Sequence, residues 1–541
     1  MKENCLVKKL KEYVTKNKTV ILVTTLVTYI TTYLSYYIFV QTGYGSGDSV
    51  VEGFWYYHYD NWHLSIGRWC VRYINDLIGK NLVLPHLIVF MYSLIVVIMV
   101  LMLKEMFGIS SAVTAGLSAA VMIVNTCVIS QFEVRYLAVT MALSALLSII
   151  FVLCAKKAKI WADLIGIICV AVFLGLYQSY VSMVAVVTLE VLVVDMIRSE
   201  SDDNAAAVKT ELIYLLRSII MGLLGGALYF LILKIELKRW NVEAADRLTG
   251  FSVAKFFNNL PSGIYQSYRQ FFLYFNEIML SRYILFRILF VITLLSLVTI
   301  VVNMIKRRLW GRMIVMCIAG LLLPVGTYLV CILLPGAGLS NNMTYQYVMI
   351  IPFVMVIAEY AAKLGYKFVL WVKIASYICV FLIICTYIIN ANATFRAYEL
   401  SYNSVTMQLE MILDRVYELD GFKLDETPII TVGVVNDAAV RRTQAEIYQY
   451  VIDADMDYNP GTVPSNNGSY HDIKASRYYF ITAMLGVDPK YSVDEPMAEV
   501  YENIINSDEF KSMPLWPAEG SVAMMDGVAV VKLTDDPPAV D

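Results

Sequence analysis

The sequence predicts a polytopic α-helical membrane protein of about eleven spans with a small α/β domain at its C-terminal end. Three observations predict it. Of 541 residues, 59% are apolar and 16% charged, and the mean hydropathy is +0.63, far from a soluble globule. Apolar runs of spanning length recur through residues 1–400. Charge then divides the chain: residues 1–400 hold 33 Lys+Arg against 21 Asp+Glu, and residues 401–541 hold 9 against 24. Such an acidic tail argues against a nucleic-acid role, which needs a basic face to neutralise phosphates. It is long enough to bury a core of its own.

A helix crosses the hydrocarbon layer with roughly 18 to 23 apolar residues. Eleven runs qualify: residues 19–40, 83–103, 110–130, 136–154, 160–177, 180–197, 211–234, 283–305, 313–334, 344–362 and 374–391. Between the fifth and sixth, Gly175 to Ser179 must make a tight turn. The run at 19–40 follows a basic segment but has no small-residue cleavage site, so it reads as a retained helix. Lysines and arginines alternate along the loops, with Lys8, Lys9, Lys11, Lys16 and Lys18, then Lys104, then Lys156, Lys157 and Lys159, then Lys306 to Arg312, then Lys363, Lys367 and Lys373. By the positive-inside rule these are cytoplasmic. An odd number of spans then puts the tail outside the plasma membrane. The expected divisions are a basic cytoplasmic N-terminus (1–18), a membrane domain (19–400) with large outer loops at 41–82 and 235–282, and an acidic extracytoplasmic domain (401–541).

Both outer loops are rich in rings, among them Trp55, Trp62, Trp69, Phe257, Tyr265 and Phe272, which favours helices lying in the interface plane. In the tail, the reading gives a helix near Val405 to Leu419, a β-branched run Ile429 to Val435, a helix near Ala438 to Ile452, and a hairpin. The hairpin pairs Ser521 to Met525 with Val528 to Leu533 around Asp526-Gly527, a favoured two-residue turn. The tail has no cysteine, so its own packing must hold it.

The first outer loop concentrates the candidate chemistry. Gly43-Tyr44-Gly45-Ser46-Gly47-Asp48 precedes Glu52-Gly53, Asp60 and Gly67-Arg68-Trp69. The glycines let the chain break after the first span and set Asp48 at the membrane surface, with Glu52 one helical turn later on the same face. Two carboxylates beside aromatic rings suit a general base, because desolvation raises the pKa of one of them. The same pair also reads as a helix cap, Asp48, with Glu52 stabilising the first turn. Arg68 offers bidentate hydrogen bonds to a lipid-linked phosphate, or to an ordinary head group. Glu133 and Arg135, in the turn from Gln131, stand at the outer surface for substrate or for each other. Gln178, with Tyr177 and Tyr180, stands where it lines a sugar pocket or bonds helix to helix. Arg239, Arg247 and Arg269 are further phosphate candidates. His58, Asp60 and His63 match no helix-borne metal motif; the residues call for no particular cofactor, and a divalent metal stays open. Nucleotide-binding and acyl-enzyme motifs have no match, so ATP hydrolysis has no visible machinery.

Asp48 to Gly53, read as Asp-x-x-x-Glu-Gly after the first span, and then Gly67-Arg68-Trp69, resemble the Gtr type II glucosyltransferase family. The turn Phe132 to Tyr136, the step Leu176-Tyr177-Gln178-Ser179, and the closing stretch from Pro514-Leu515-Trp516-Pro517 to Val531-Lys532-Leu533 are similar to it too. The resemblance implies a GT-C-type membrane fold. It implies inverting transfer of glucose from a polyprenyl phosphate donor to a surface polysaccharide, such as an O-antigen, outside the membrane. An acidic residue of the first outer loop is the base in that family, and Asp48 matches it. Ser49 follows where many members have a second aspartate, leaving Glu52 as the second carboxylate. On this reading Arg68 and Arg135 hold the donor phosphate, and Asp60, Glu133 and Gln178 bind substrate. The rival readings are a transporter or flippase of a lipid-linked sugar, which would bind at mid-membrane on broken helices, and a membrane scaffold for which Asp48 is dispensable.

Overall fold

Long apolar runs have one stable form in a bilayer, the helix, because only there does the backbone satisfy its own hydrogen bonds. The computed structural model describes residues 5–45, 61–79, 82–199, 204–245, 253–275, 283–334, 338–424, 426–433, 485–487 and 495–537. The first helices are α1 (Cys5–Lys16), α2 (Lys18–Thr42), α3 (Trp62–Ser65), α4 (Val71–Gly79) and α5 (Pro85–Phe107). Next come α6 (Ala112–Ile123), α7 (Thr126–Glu133), α8 (Arg135–Lys157), α9 (Ile160–Leu176), α10 (Tyr180–Arg198) and α11 (Asn204–Trp240). The membrane body closes with α12 (Val253–Leu273), α13 (Tyr283–Lys306), α14 (Trp310–Thr327), α15 (Leu329–Leu333), α16 (Tyr345–Ala362) and α17 (Lys367–Tyr417). Among the described residues, ten helices are long and apolar enough to span, counting α6 and α7 as one. The eleventh expected run is α9, apolar but 17 residues long. The protein is a multi-pass membrane protein.

The expected basic segments meet at one end of the bundle. Tyr13 donates to Glu105 at 3.2 Å and Tyr360 donates to the Phe107 carbonyl at 2.9 Å. Lys156 pairs with Asp195 and, at 3.1 Å, with Glu211, while Arg312 donates to the Ser199 carbonyl at 2.7 Å. These contacts engage seven helices, α1, α5, α8, α10, α11, α14 and α16, and leave the aromatic segments at the opposite end.

The span α6–α7 is broken. Asn125 is extended, and its side chain caps α7 by accepting from the Val128 N–H at 3.0 Å. The break frees carbonyls that hydrocarbon cannot solvate. Tyr345 donates to Met122 O at 2.9 Å, Tyr36 to Ile123 O at 2.8 Å, and the Asn125 amide to Val121 O at 2.9 Å. The sequence reading had one continuous span here.

The last helix, α17, is 51 residues long, about 75 Å at 1.5 Å per residue and so far longer than the hydrocarbon layer. It carries the chain out of the membrane body into the tail without a break, and the separate helix expected near Val405 is its final part. Beyond it lie β1 (Ile429–Val432), α18 (Glu495–Asn506), α19 (Asp508–Ser512), β2 (Val522–Met525) and β3 (Val528–Lys532). The sheet order is β1-β3-β2, with β1 parallel and β2 antiparallel to β3. Asp526 and Gly527 both take positive φ, 48° and 77°, the conformation a two-residue hairpin requires. The expected hairpin is present, and Ile429 begins the expected first strand. The helix expected near Ala438 to Ile452 lies outside the described residues. One face of the sheet packs Ile430, Val432 and Val530 with Tyr501, Ile504 and Phe510. Arg415 on α17 holds the far edge: it donates to Pro517 O at 2.8 Å and Ala518 O at 3.2 Å, and lies 4.7 Å from the Trp516 ring centroid.

Candidate active site

The end of the bundle opposite the lysines is roofed by residues 61–79. Its first turn, α3, runs into Gly67, whose φ of +87° turns the chain back over the membrane body. Neighbouring helices then fasten it. Gln178 donates to Ile66 O at 2.8 Å, Tyr229 donates to Gly67 O at 3.1 Å, and Cys70 N–H donates to Gly175 O at 2.8 Å. A Cβ at Gly175 would overlap the Trp69 indole, so only glycine lets the ring sit on the α9–α10 turn. That turn, Tyr177 to Ser179, is as tight as the sequence requires.

On this roof Arg68 is half-buried, its guanidinium 4.3 Å from the Tyr177 ring centroid. Its Nε makes no hydrogen bond and it has no ion-pair partner among the described residues. His63 is 5% exposed and tilted on the Tyr136 ring with centroids 5.7 Å apart. Burial, reinforced by the Arg68 charge, lowers its pKa to about 3, so it stays neutral beside the cation. Burial pushes the Cys70 thiol up to about 12, which leaves it inert.

The second group stands on the α7–α8 junction. Gln131 is fully buried: its carbonyl accepts from Tyr92 at 2.7 Å, and its amide donates to Tyr180 at 3.0 Å and to Asn342 O at 3.2 Å. Two residues on, the Glu133 carboxyl takes hydrogen bonds from Ser130 and Tyr398. Arg135, 1% exposed, donates to the Gly43 carbonyl at the end of α2. Glu133 and Arg135 thus have separate partners.

Asp48, Glu52, Asp60 and His58 lie outside the described residues, as does Arg247. The described residues that flank 46–60 in the chain are Gly45, whose carbonyl accepts from Tyr402 at 2.8 Å, and Asn61, which enters α3. Among the described residues, no three His, Cys, Asp or Glu side chains converge as a metal site would need. Arg239 is engaged elsewhere, with Tyr73 at 3.3 Å and Glu236 at 3.6 Å. Sequence reasoning missed Tyr398 and Tyr402, which sit on α17 beyond its last apolar run and carry no local signal. Gln131 had one, a lone amide in an apolar helix end.

Aromatic and cationic groups gather on this roof over the membrane bundle, and comparison with known families decides the class. The family model described as glucosyl transferase GtrII matches residues 52–358. The chain belongs to the GtrII glucosyltransferase family. No curated protein and no solved structure matches it. The family match runs from Glu52 to the last turn of α16, so it takes in Arg68, Glu133, Arg135 and Gln178. As a GtrII protein it is a membrane glucosyltransferase, which takes glucose from a sugar donor and passes it to a polysaccharide. Asp48 and Tyr402 fall outside the matched stretch, as does the acidic tail.

Proposed function

We propose that this GtrII enzyme is an inverting GT-C-type transferase. Its donor is a polyprenyl phosphate sugar held in the bilayer, and its acceptor is a cell-surface polysaccharide on the extracytoplasmic face. The observation that carries the reading is Arg68, a guanidinium at the lysine-poor end of the bundle with no ion-pair partner among the described residues. A polyprenyl donor presents its phosphate at that boundary. The positive-inside rule sets the lysine-rich end in the cytoplasm, with residues 1–18, and so sets the site and the acidic domain of residues 401–541 outside.

The chemistry follows. Asp48 accepts the proton of an acceptor hydroxyl as its oxygen attacks the anomeric carbon, and the bond from that carbon to the phosphate oxygen breaks with its electron pair leaving on the lipid phosphate. One displacement inverts the centre. Arg68 offsets the charge gathering on the departing phosphate. Glu52 orients the sugar or assists the base, and Asp60, Glu133 and Gln178 line the substrate. Gln178 and Glu133 do so from fixed positions, since each already has hydrogen bonds within the protein.

The broken span gives the flippase reading one observation of its own, because transporters bind at such breaks. Here the freed carbonyls are taken by Tyr36, Tyr345 and Asn125, which favours a structural break. The test is one assay on purified protein in liposomes with radiolabelled polyprenyl-phosphate-glucose and candidate surface polymers. The parent transfers label, and Asp48→Asn, folded normally, loses about 10²-fold or more. Equal transfer by both would remove Asp48 as base. Label crossing the bilayer with no transfer would make the protein a flippase.

A further inference from the structure

Two side chains from distant parts of the chain close on the three residues that lead to Asp48. The helix α2 stops where Gly43 takes a φ of +66°, and the chain turns away from its axis. Arg135, at the start of α8, donates to the Gly43 carbonyl. Tyr402, on α17, donates to the Gly45 carbonyl at 2.8 Å. Between them the Tyr44 ring stacks on Tyr402, centroids 4.3 Å apart and planes within 8°. Arg135 is 1% and Tyr402 0% exposed.

Buried donors that grip two backbone carbonyls two residues apart fix a path, because releasing either leaves a carbonyl unsatisfied away from water. A chain leaving a helix on glycines has no such path of its own. We infer that Arg135 and Tyr402 are positioning residues: they clamp Gly43 to Gly45 and so fix the point from which the chain runs on to Asp48, three residues later in the sequence. The inference rests on Asp48 being the base. It also gives Arg135 a task other than holding phosphate. Tyr402 belongs to the helix whose far end contacts the tail through Arg415, so the clamp and that contact lie on one helix.

The experiment compares Tyr402→Phe, Arg135→Lys, Arg135→Gln and Asp48→Asn in the liposome transfer assay, with amide hydrogen exchange on the same samples. Tyr402→Phe keeps the stacked ring and loses only the hydroxyl. It should lower kcat about ten-fold, leave donor KM within about two-fold, and speed exchange at residues 43–48 alone, as expected for a displaced reacting group. Arg135→Gln should lower kcat further, and Arg135→Lys, which keeps a donor, should recover most of it. Unchanged kcat and exchange in Tyr402→Phe would overturn the clamp. So would Arg135→Lys with a raised donor KM at unchanged kcat, which would make Arg135 a phosphate ligand. If Tyr402→Phe fails to fold, the Arg135 pair decides. An active Asp48→Asn beside a slow Tyr402→Phe with faster exchange at 43–48 would sink the base and leave the clamp standing.

Discussion

Burial makes His63 a residue that resists charge. Its folded pKa of about 3 lies below the ordinary histidine value of 6.5, so the unfolded chain binds a proton that the folded one refuses. Stability from this residue is complete above pH 6.5 and is lost as pH falls toward 3. Between pH 6.5 and 5 the loss is on the order of 1–2 kcal/mol. The melting temperature of the parent in detergent should drop over that window, and His63→Phe should drop distinctly less; parallel curves would mean that the imidazole is not shielded as described. In the sequence His63 belongs with His58 and Asp60 to a trio that matches no metal motif, and spacing alone does not show that its ring packs on Tyr136. Arg68 was legible as a cation at the membrane surface. Its seat on Tyr177 was not, because that contact joins residues about a hundred positions apart in the chain.

At the scale of elements, local patterns were readable and partners were not. Asp526-Gly527 fixes a hairpin by its own backbone needs, and the hairpin is there; that β1 would pair parallel with β3, about a hundred residues further on, has no counterpart in either segment alone. Hydropathy likewise drew residues 110–130 as one span. The clue to the break was Asn125, a capping residue inside an apolar run, and it became decisive only with Tyr36 and Tyr345 in place. The break sets the direction of α7 and hence of Gln131 and Glu133. Asn125→Ala should destabilise the protein by about 1–2 kcal/mol through the lost cap. Tyr345→Phe should cost about 1–3 kcal/mol by stranding the Met122 carbonyl. Thermal unfolding of the two variants checks both, and a Tyr345→Phe protein as stable as the parent would mean that the carbonyl finds another donor.

For the molecule as a whole, the count of spans was written in hydropathy, while the continuity of α17 was not, because a helix that leaves the membrane exchanges apolar neighbours for polar ones without changing its backbone. That continuity ties the sheet to the bundle. Leu409, Ile412, Leu413 and Val416 on its last turns share a core with Val522, Ala529 and Val531 of the sheet. Arg415 closes the joint from the side, with two carbonyls and the Trp516 ring. Cation–ring contacts contribute about 0.5–1 kcal/mol where exposed, and hydrogen bonds from a charged donor about 1.5–3 kcal/mol, so the joint depends on this one side chain more than on any single apolar contact at its rim. Arg415→Ala should therefore loosen the sheet without unfolding the bundle. Hydrogen exchange should rise in residues 513–533 and stay unchanged in α5 to α10. If the acidic domain shapes the acceptor site, acceptor KM should rise while donor KM holds. A uniform rise in exchange would mean that sheet and bundle unfold as one cooperative unit, and a raised donor KM would place the tail at the donor site instead.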